Sequence, residues 1–359
     1  MRFIGNKTNL TESIYSALEK KNALSGPRFF DFFAGTASVG KHFRQRGFEV
    51  ATSDIMYFSY VLQRAYIACD LDASFNGMSD YHDTLKILNA LPDRNGFIFY
   101  NFTEEGTIEA RSPYIRKYFT GPNGQRIDAI RLEIEHWREY GRVTEDEYFI
   151  LLATLIESVP FFANISGVYA AFLKSYDPRA LKPFGLRPIE LTKGRIGYVT
   201  HANSMDLISA LDTDILYLDP PYNARQYAPN YHLLETIARY DDPPLRGITG
   251  LRPYSDQKSE FCNAATALAA LAKIASDARY TTLALSYNSE GIMPTQRILD
   301  VLGRHGEVSL AEFSYRRFKS NSNGHDADKK HVFEQLFILQ TQSISRYSRS
   351  LPTLVGQKI

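Results

Sequence analysis

Cysteine is almost absent: only Cys69 and Cys262 carry thiols in 359 residues, which excludes a disulfide framework and fits a reducing, cytoplasmic setting. No Cys or His cluster has metal-ligand spacing, so neither a structural zinc nor any other metal is expected. Long apolar runs are missing too. The stretches 148–156 and 281–287 are too short to cross a bilayer, and the first residues lack a basic-then-apolar leader, so no membrane partner is expected. Nor does one sign of charge dominate. The 41 Lys and Arg nearly balance the 40 Asp and Glu, and any surface for a polyanion must therefore be local. No fixed-period repeat or low-complexity tract occurs, which disfavours solenoids and long disordered arms.

Core-forming material, by contrast, is plentiful. With 44% hydrophobic and 13% aromatic residues the chain can bury a large core, and its length calls for a main domain plus a second module. The run Arg28-Phe29-Phe30-Asp31-Phe32-Phe33 reads as a strand that ends in the turn Ala34-Gly35-Thr36-Ala37. A helix over 39–46 follows, stopped by Gly47, and then a second strand over 48–53 capped by Asp54. Such a β-loop-α-β unit implies an open α/β sheet. Strands return over 196–200, 214–219 and 280–287, and a final pair over 308–315 and 331–340 flanks a polar loop. Between these blocks the pattern is helix-rich, with a buried helix over 147–159. The expected organisation is a discontinuous domain of 1–71 and 194–345, a helix-rich insert of 72–193, and a tail of 346–359.

Chemistry concentrates in Asp219-Pro220-Pro221-Tyr222, directly after an apolar strand. Ligands of open α/β sheets bind at the carboxyl ends of strands. Two prolines remove two backbone donors and leave a stiff turn that presents carbonyls, beside one carboxylate and one flat ring. That combination suits an amino group on a planar ring. An exocyclic amine such as adenine N6 is a poor nucleophile, and the Asp219 carboxylate with the Pro220 carbonyl can stabilise the charge it gains on attacking a sulfonium methyl. Tyr222 would stack on the ring, which must leave a duplex to arrive. The competing reading is a plain strand-ending turn with a surface tyrosine.

The segment from Asp31 through Phe33, Gly35, Thr36 and Ala37 to Gly40 departs from the three-glycine dinucleotide fingerprint. Gly35 permits close approach, Asp31 can accept from an ammonium, and Asp54 can accept from ribose hydroxyls; an ordinary strand-to-helix loop is the alternative. Two cationic stretches are candidates for a nucleic-acid face. One is Tyr315-Arg316-Arg317-Phe318-Lys319, and the other runs over 111–142 with Arg111, Arg116, Lys117, Arg126, Arg131, Arg138 and Arg142. A solvated surface is the ordinary reading of each. Phe161 and Phe162 could line a groove for the flipped base and His232 could face the pocket, but all three, like Trp137, read better as packing residues.

Taken in linear order, these motifs resemble the D12-class, Dam-like adenine-N6 DNA methyltransferases over most of the chain. Arg2-Phe3-Ile4-Gly5-Asn6-Lys7 resembles that family's N-terminal cofactor motif, with Phe3 and Lys7 toward the cofactor. Ser53-Asp54 falls at its ribose-binding acid, Asn203 to Asp206 at its adenine contact, and Asp219 to Tyr222 at its catalytic tetrapeptide. The continuation through Arg225 and Tyr227 is similar to a restriction-modification subgroup that includes the NlaIII and FokI methyltransferases. Leu285 to Ser289 resembles a later pocket motif, and Arg316, Arg317, Lys319, Ser320 and Asn321 resemble a DNA-touching hairpin.

The resemblance implies a Rossmann-like S-adenosylmethionine-dependent fold, mostly parallel and seven-stranded with a C-terminal antiparallel hairpin, and an inserted target-recognition domain. It further implies S-adenosylmethionine as cofactor, double-stranded DNA as partner, and a cognate restriction endonuclease encoded nearby. The main loop reads Ala-Gly-Thr-Ala where a second glycine is frequent. Remaining alternatives are a cytosine-N4 or RNA adenine methyltransferase, or a catalytically silent DNA-binding regulator.

Overall fold

The computed structural model of the chain describes residues 5–69, 75, 80–191, 193–316 and 331–341, with the backbone alone for 314–316 and 331–332. Seven strands form one sheet: β1 (Arg28–Asp31), β2 (Glu49–Asp54), β3 (Tyr198–His201), β4 (Ile215–Leu218), β5 (Thr282–Asn288), β6 (Glu307–Arg316) and β7 (His331–Gln340). Their order is β3-β2-β1-β4-β5-β7-β6. The first five are parallel, and β7 runs antiparallel to both β5 and β6. This is the mostly parallel sheet with a terminal hairpin that the sequence led us to expect. Every expected strand is present, with ends moved by a residue or two, which is the usual uncertainty of boundaries.

The central strands are apolar on both faces because helices cover both. Ile215, Leu216, Tyr217 and Leu218 are all fully buried, the continuous burial typical of a parallel strand. One face is covered by α1 (Thr11–Lys20), α2 (Ser38–Gln45) and α3 (Tyr57–Gln63), with α9 (Tyr227–Arg239) joining the same apolar cluster. On the other, α10 (Ala267–Asp277) and α11 (Thr295–Leu302) bury Leu271, Ile274 and Ile298 in a second cluster.

Between β2 and β3 lie α4 (Tyr81–Asn89), α5 (Phe97–Phe102), α6 (Glu104–Glu109), α7 (Gly121–Glu139) and α8 (Glu145–Ser158). Thr144 starts α8 with a capping box shared with Glu147, which satisfies two otherwise orphaned backbone donors. These helices do not stand apart: Leu151 and Leu155 of α8 share one apolar cluster with Leu62 of α3 and Leu233 of α9. Trp137 sits in that core, 2% exposed, as expected. Arg44, 1% exposed, fastens the base of the helical segment, donating to the carbonyls of Tyr66 and Cys69 where the chain leaves the sheet and of Gly194 and Arg195 where it returns.

One expectation is corrected. The cationic stretch over 111–142 is not a free basic face. Arg116 is buried and donates to the carbonyls of Asn101, Gly247 and Ile248, while buried Arg131 donates to those of Ile237 and Ala238. Arg126 pairs with Asp93, Arg138 with Glu145 and Lys117 with Glu104. Arg116 and Lys117 in the loop before α7, and Arg126, Arg131 and Arg138 on it, are thus engaged by backbone carbonyls and carboxylates, which sequence alone does not reveal; Arg111 and Arg142 are exposed.

Candidate active site at the carboxyl edge of the sheet

Parallel strands bring their carboxyl ends to one edge, and there the acidic residues of β1, β2 and β4 meet. Asp31 ends β1, Asp54 ends β2, and Asp219 follows β4. All three line one cavity, together with Lys7 from the N-terminal segment, Phe33, Gly35 and Thr36 from the β1–α2 turn, and Pro221 and Tyr227 beyond β4.

The turn after β1 is held by its neighbours. Gly35 adopts a left-handed φ of 50° and donates its N–H to Asp54 Oδ2 at 2.9 Å, while Met56 N–H donates to Asp54 Oδ1 at 2.8 Å. Ala37, with φ of 61°, takes the same unfavourable region at the N-terminus of α2, a strained backbone of the kind found at ligand clamps. Ala37 itself is fully buried beneath the turn and does not line the cavity. Phe33 packs edge-on against Phe32 and Phe261, at centroid separations of 4.9 and 5.3 Å, giving the cavity a fixed aromatic wall.

The electrostatics are those of crowded carboxylates. Asp31 is 2% exposed, and its buried Oδ1 has no hydrogen-bond partner among the described residues. Burial, reinforced by Asp219 and Asp54, pushes its pKa well above the ordinary carboxylate value. Asp54 is raised to about 6, chiefly by burial and against the backbone donors that hold it. The Asp219 side chain is 18% exposed and accepts from Lys7 Nζ at 3.0 Å. Burial raises its pKa while Lys7 opposes the rise. Lys7 Nζ also reaches Glu334 Oε1 at 2.8 Å. Burial works against the Lys7 ammonium, but the two carboxylates more than offset it and raise its pKa.

Most residues singled out in the sequence therefore converge, though not all in the expected manner. Pro220 is buried behind the turn, and Tyr222 is half-buried on the second apolar cluster, its carbonyl accepting from Ile292 N–H. Tyr227, expected at a DNA surface, stands in the cavity wall with its ring stacked on Tyr231 at 6.3 Å. Arg225 is exposed. Asn203 and Ser204 line the cavity, but Asp206 is exposed and does not. Phe3, Arg317, Lys319, Ser320 and Asn321 lie outside the described residues. Arg316 is the last residue of β6, pairing with His331; because β6 runs parallel to β5, the chain leaves it at the same edge as Asp219.

His232 is a packing residue, as expected: 1% exposed, with Nε2 2.9 Å from the Tyr169 carbonyl and its pKa lowered to about 4 by burial. Phe162 packs on Phe184, whereas Phe161 is 44% exposed beneath the Arg187 guanidinium, contrary to the expected core role.

Sequence reasoning missed two carboxylates. Glu334 interrupts an apolar strand on β7, and that interruption was the available signal. Glu235, fully buried in α9, accepts from the N–H groups of Tyr57 and Phe58 at the start of α3 and from Gln257 Nε2, bracing the wall beside Asp54. Among the described residues no group of acidic, Cys or His side chains could hold a metal, and no helix is long and apolar enough to cross a membrane.

A family model described as D12 class N6 adenine-specific DNA methyltransferase matches residues 3–299. The chain is 38% identical over 346 residues to the type II methyltransferase M.NlaIII of Neisseria lactamica, covering 95% of this chain and 99% of that protein. It is equally 38% identical to the type II methyltransferase M.FokI of Planomicrobium okeanokoites, of which it spans only 52%. With the type II methyltransferase M.CviAII of Paramecium bursaria Chlorella virus 1 it shares 29% identity, covering 96% of that protein. A match of this extent, over a sheet whose strand ends gather the acidic residues of the cavity, shows that the chain belongs to the D12 class of N6 adenine-specific DNA methyltransferases.

Proposed function

We propose that the protein methylates N6 of an adenine turned out of duplex DNA at a short specific site, with S-adenosylmethionine as donor, and serves as the modification enzyme of a type II restriction-modification system. The observation that carries this reading is the position of Asp219: a carboxylate on a proline-stiffened turn, in the wall of a cavity that also holds an unpartnered carboxylate oxygen on Asp31.

The residues present fit the donor. Asp31 Oδ1 is a buried acceptor suited to an ammonium, Asp54 has lone pairs left for ribose hydroxyls, and Phe33 offers a flat wall to a purine. When bound, S-adenosylmethionine supplies an electrophilic methyl group on a positively charged sulfur. The chain's own residues do the rest. Asp219 and the Pro220 carbonyl accept from the two N–H bonds of the adenine amine, orienting its lone pair and stabilising the positive charge that nitrogen gains. Pro220 and Pro221 keep that turn from relaxing. Tyr227 bounds the space the flipped base would enter, and Tyr222, on the turn that carries Asp219, would offer stacking in exchange for the stack that is lost. The hairpin from Arg316 through Arg317, Lys319, Ser320 and Asn321, with Arg225, would contact the DNA backbone and bases, and the helical segment over 72–193 would carry target recognition. M.NlaIII and M.FokI are type II methyltransferases, and on that likeness a cognate endonuclease is expected to be encoded nearby.

Labelled methyl transfer to duplex DNA, followed by nucleoside digestion, tests the reading. N6-methyladenine is the expected product. N4-methylcytosine, or label found only in RNA, would replace the substrate assignment, and no transfer with intact DNA binding would leave a silent regulator.

A further inference from the structure

The base of the cavity holds a cation shared between two carboxylates. Lys7 Nζ lies 2.8 Å from Glu334 Oε1 and 3.0 Å from Asp219 Oδ1. The same Glu334 oxygen accepts from Ser286 Oγ at 2.7 Å, a second donor that holds it in place. Lys7 is 5% and Glu334 8% exposed, with Ser286 buried beside them, so little water screens the Lys7–Glu334 pair, while the Asp219 side chain is open to the cavity. Glu334 is directed here by the register of the sheet: it pairs across from Asn288, the last residue of β5, and so reaches the same edge as Asp219. A Lys7–Asp219 pair alone would be neutral. With Glu334 the trio carries one net negative charge.

We propose that Glu334 is a positioning residue for methyl transfer: by sharing the Lys7 ammonium it keeps that cation from neutralising Asp219, so the carboxylate stays a strong acceptor for an amine becoming positive. The inference rests on the reading of Asp219 as that acceptor. Other groups facing Asp219 are Asp31 on β1, Tyr217 on β4 and Tyr227 beyond it, and all of them are acidic or neutral. Lys7 is therefore the cation whose allegiance matters, and Glu334 is what divides it. Burial acts most strongly on Asp219, the opposing Lys7 charge next, and the Glu334 charge after it, raising the Asp219 pKa.

Glu334→Gln keeps the shape and the hydrogen bonds while removing the charge. Single-turnover methyl transfer should fall about tenfold, the size of one charge acting across a site of modest effective dielectric. The acid limb of its pH profile should move to lower pH, because Asp219 loses a like charge and keeps Lys7 to itself. S-adenosylmethionine affinity by calorimetry should change less than about twofold, and Glu334→Asp should restore the wild-type limb. A merely structural role would lower the rate with no movement of the limb. A rate within twofold of wild type, a stationary limb, or a limb moved to higher pH overturns the proposal. If Glu334→Gln does not fold, Lys7→Met is compared with Lys7→Met combined with Glu334→Gln, and the double variant must have the lower limb. Asp219→Asn measured alongside separates the two readings: if it is inactive while Glu334→Gln behaves as wild type, only the role of Glu334 fails.

Discussion

Replacing Asp219 by Asn changes one oxygen to an amide nitrogen and leaves the turn, the cavity wall and both prolines in place. Lys7 Nζ sits 3.0 Å from Asp219 Oδ1 and 2.8 Å from Glu334. An ammonium accepts nothing, so the new side chain must turn its carbonyl toward Lys7. Its amide nitrogen then points into the cavity, where it is a donor facing the donors of the substrate amine. The variant thus loses a charged acceptor and gains a repulsive contact. Removal of one preorganised electrostatic partner typically costs about 10²–10³ in rate, and the reversed dipole adds to that. Single-turnover transfer should therefore fall by about a thousandfold or more.

The cofactor side predicts the opposite for binding. Asp31, Asp54 and Phe33 are untouched, and the Asp54 carboxylate keeps its two backbone donors. S-adenosylmethionine affinity by calorimetry should stay within a few fold, with the thermal transition as the check on folding. Turnover within tenfold of wild type would refute the catalytic assignment. Affinity and rate lost together would instead place Asp219 in cofactor binding.

Other consequences can be measured separately. Asp31 and Asp54 have folded pKa values raised above the ordinary one, Asp54 to about 6; without ligand the fold holds protons that the unfolded chain has lost, so stability should fall as pH rises from about 4 to about 6. Binding a cationic donor reverses this, and calorimetry in buffers of different ionisation enthalpy should show proton release at pH 5.5 that is smaller at pH 8, where Asp54 has already ionised; no release at pH 5.5 would refute it. Arg44→Met should destabilise by roughly 3–5 kcal/mol in denaturant unfolding, because it leaves the carbonyls of Tyr66, Cys69, Gly194 and Arg195 without their buried donor. Alanine at Arg316, Arg317 or Lys319 should each lower the slope of log affinity against log salt by about 1 if it removes a phosphate contact; an unchanged slope would remove that residue from the DNA interface.

The sheet was legible because each parallel strand is a short apolar run closed by a turn residue, and the catalytic turn because Asp-Pro-Pro-Tyr directly follows one of them. The helical segment was legible as helices but not as a surface. Arg116 and Arg131 look like any basic residues until the carbonyls they cap come into view. Tyr227 shows the same limit in reverse: local sequence cannot say that the first turn of α9 looks inward. Glu334 reaches Lys7, and Glu235 the N–H groups of Tyr57 and Phe58, across more than a hundred residues of sequence, and long-range pairing of that kind leaves only an acidic residue in an apolar stretch as its trace.

The acidity of the carboxyl edge can be understood as a cost deferred to binding. β1, β2, β4 and β7 bring Asp31, Asp54, Asp219 and Glu334 to one edge of the sheet, where the buried Lys7 ammonium is shared by Asp219 and Glu334. Carboxylates buried in this way are expensive to keep ionised: burial raises the pKa values of Asp31, Asp54 and Asp219, with repulsion from Asp219 and Asp54 adding to it at Asp31 and from Glu334 at Asp219. A donor that arrives with an ammonium and a sulfonium carries the charge that relieves the crowding. After its methyl group has left, the donor keeps the ammonium and loses the sulfonium charge, so part of that relief is withdrawn. The by-product should consequently bind less tightly than the donor at pH 8, where Asp54 is ionised, and the difference should narrow at pH 5.5, where protons on Asp54 supply part of the missing charge. Competition calorimetry at the two pH values measures this directly, and a preference that widened on acidification would show that the carboxylates do not act on the donor through their charge.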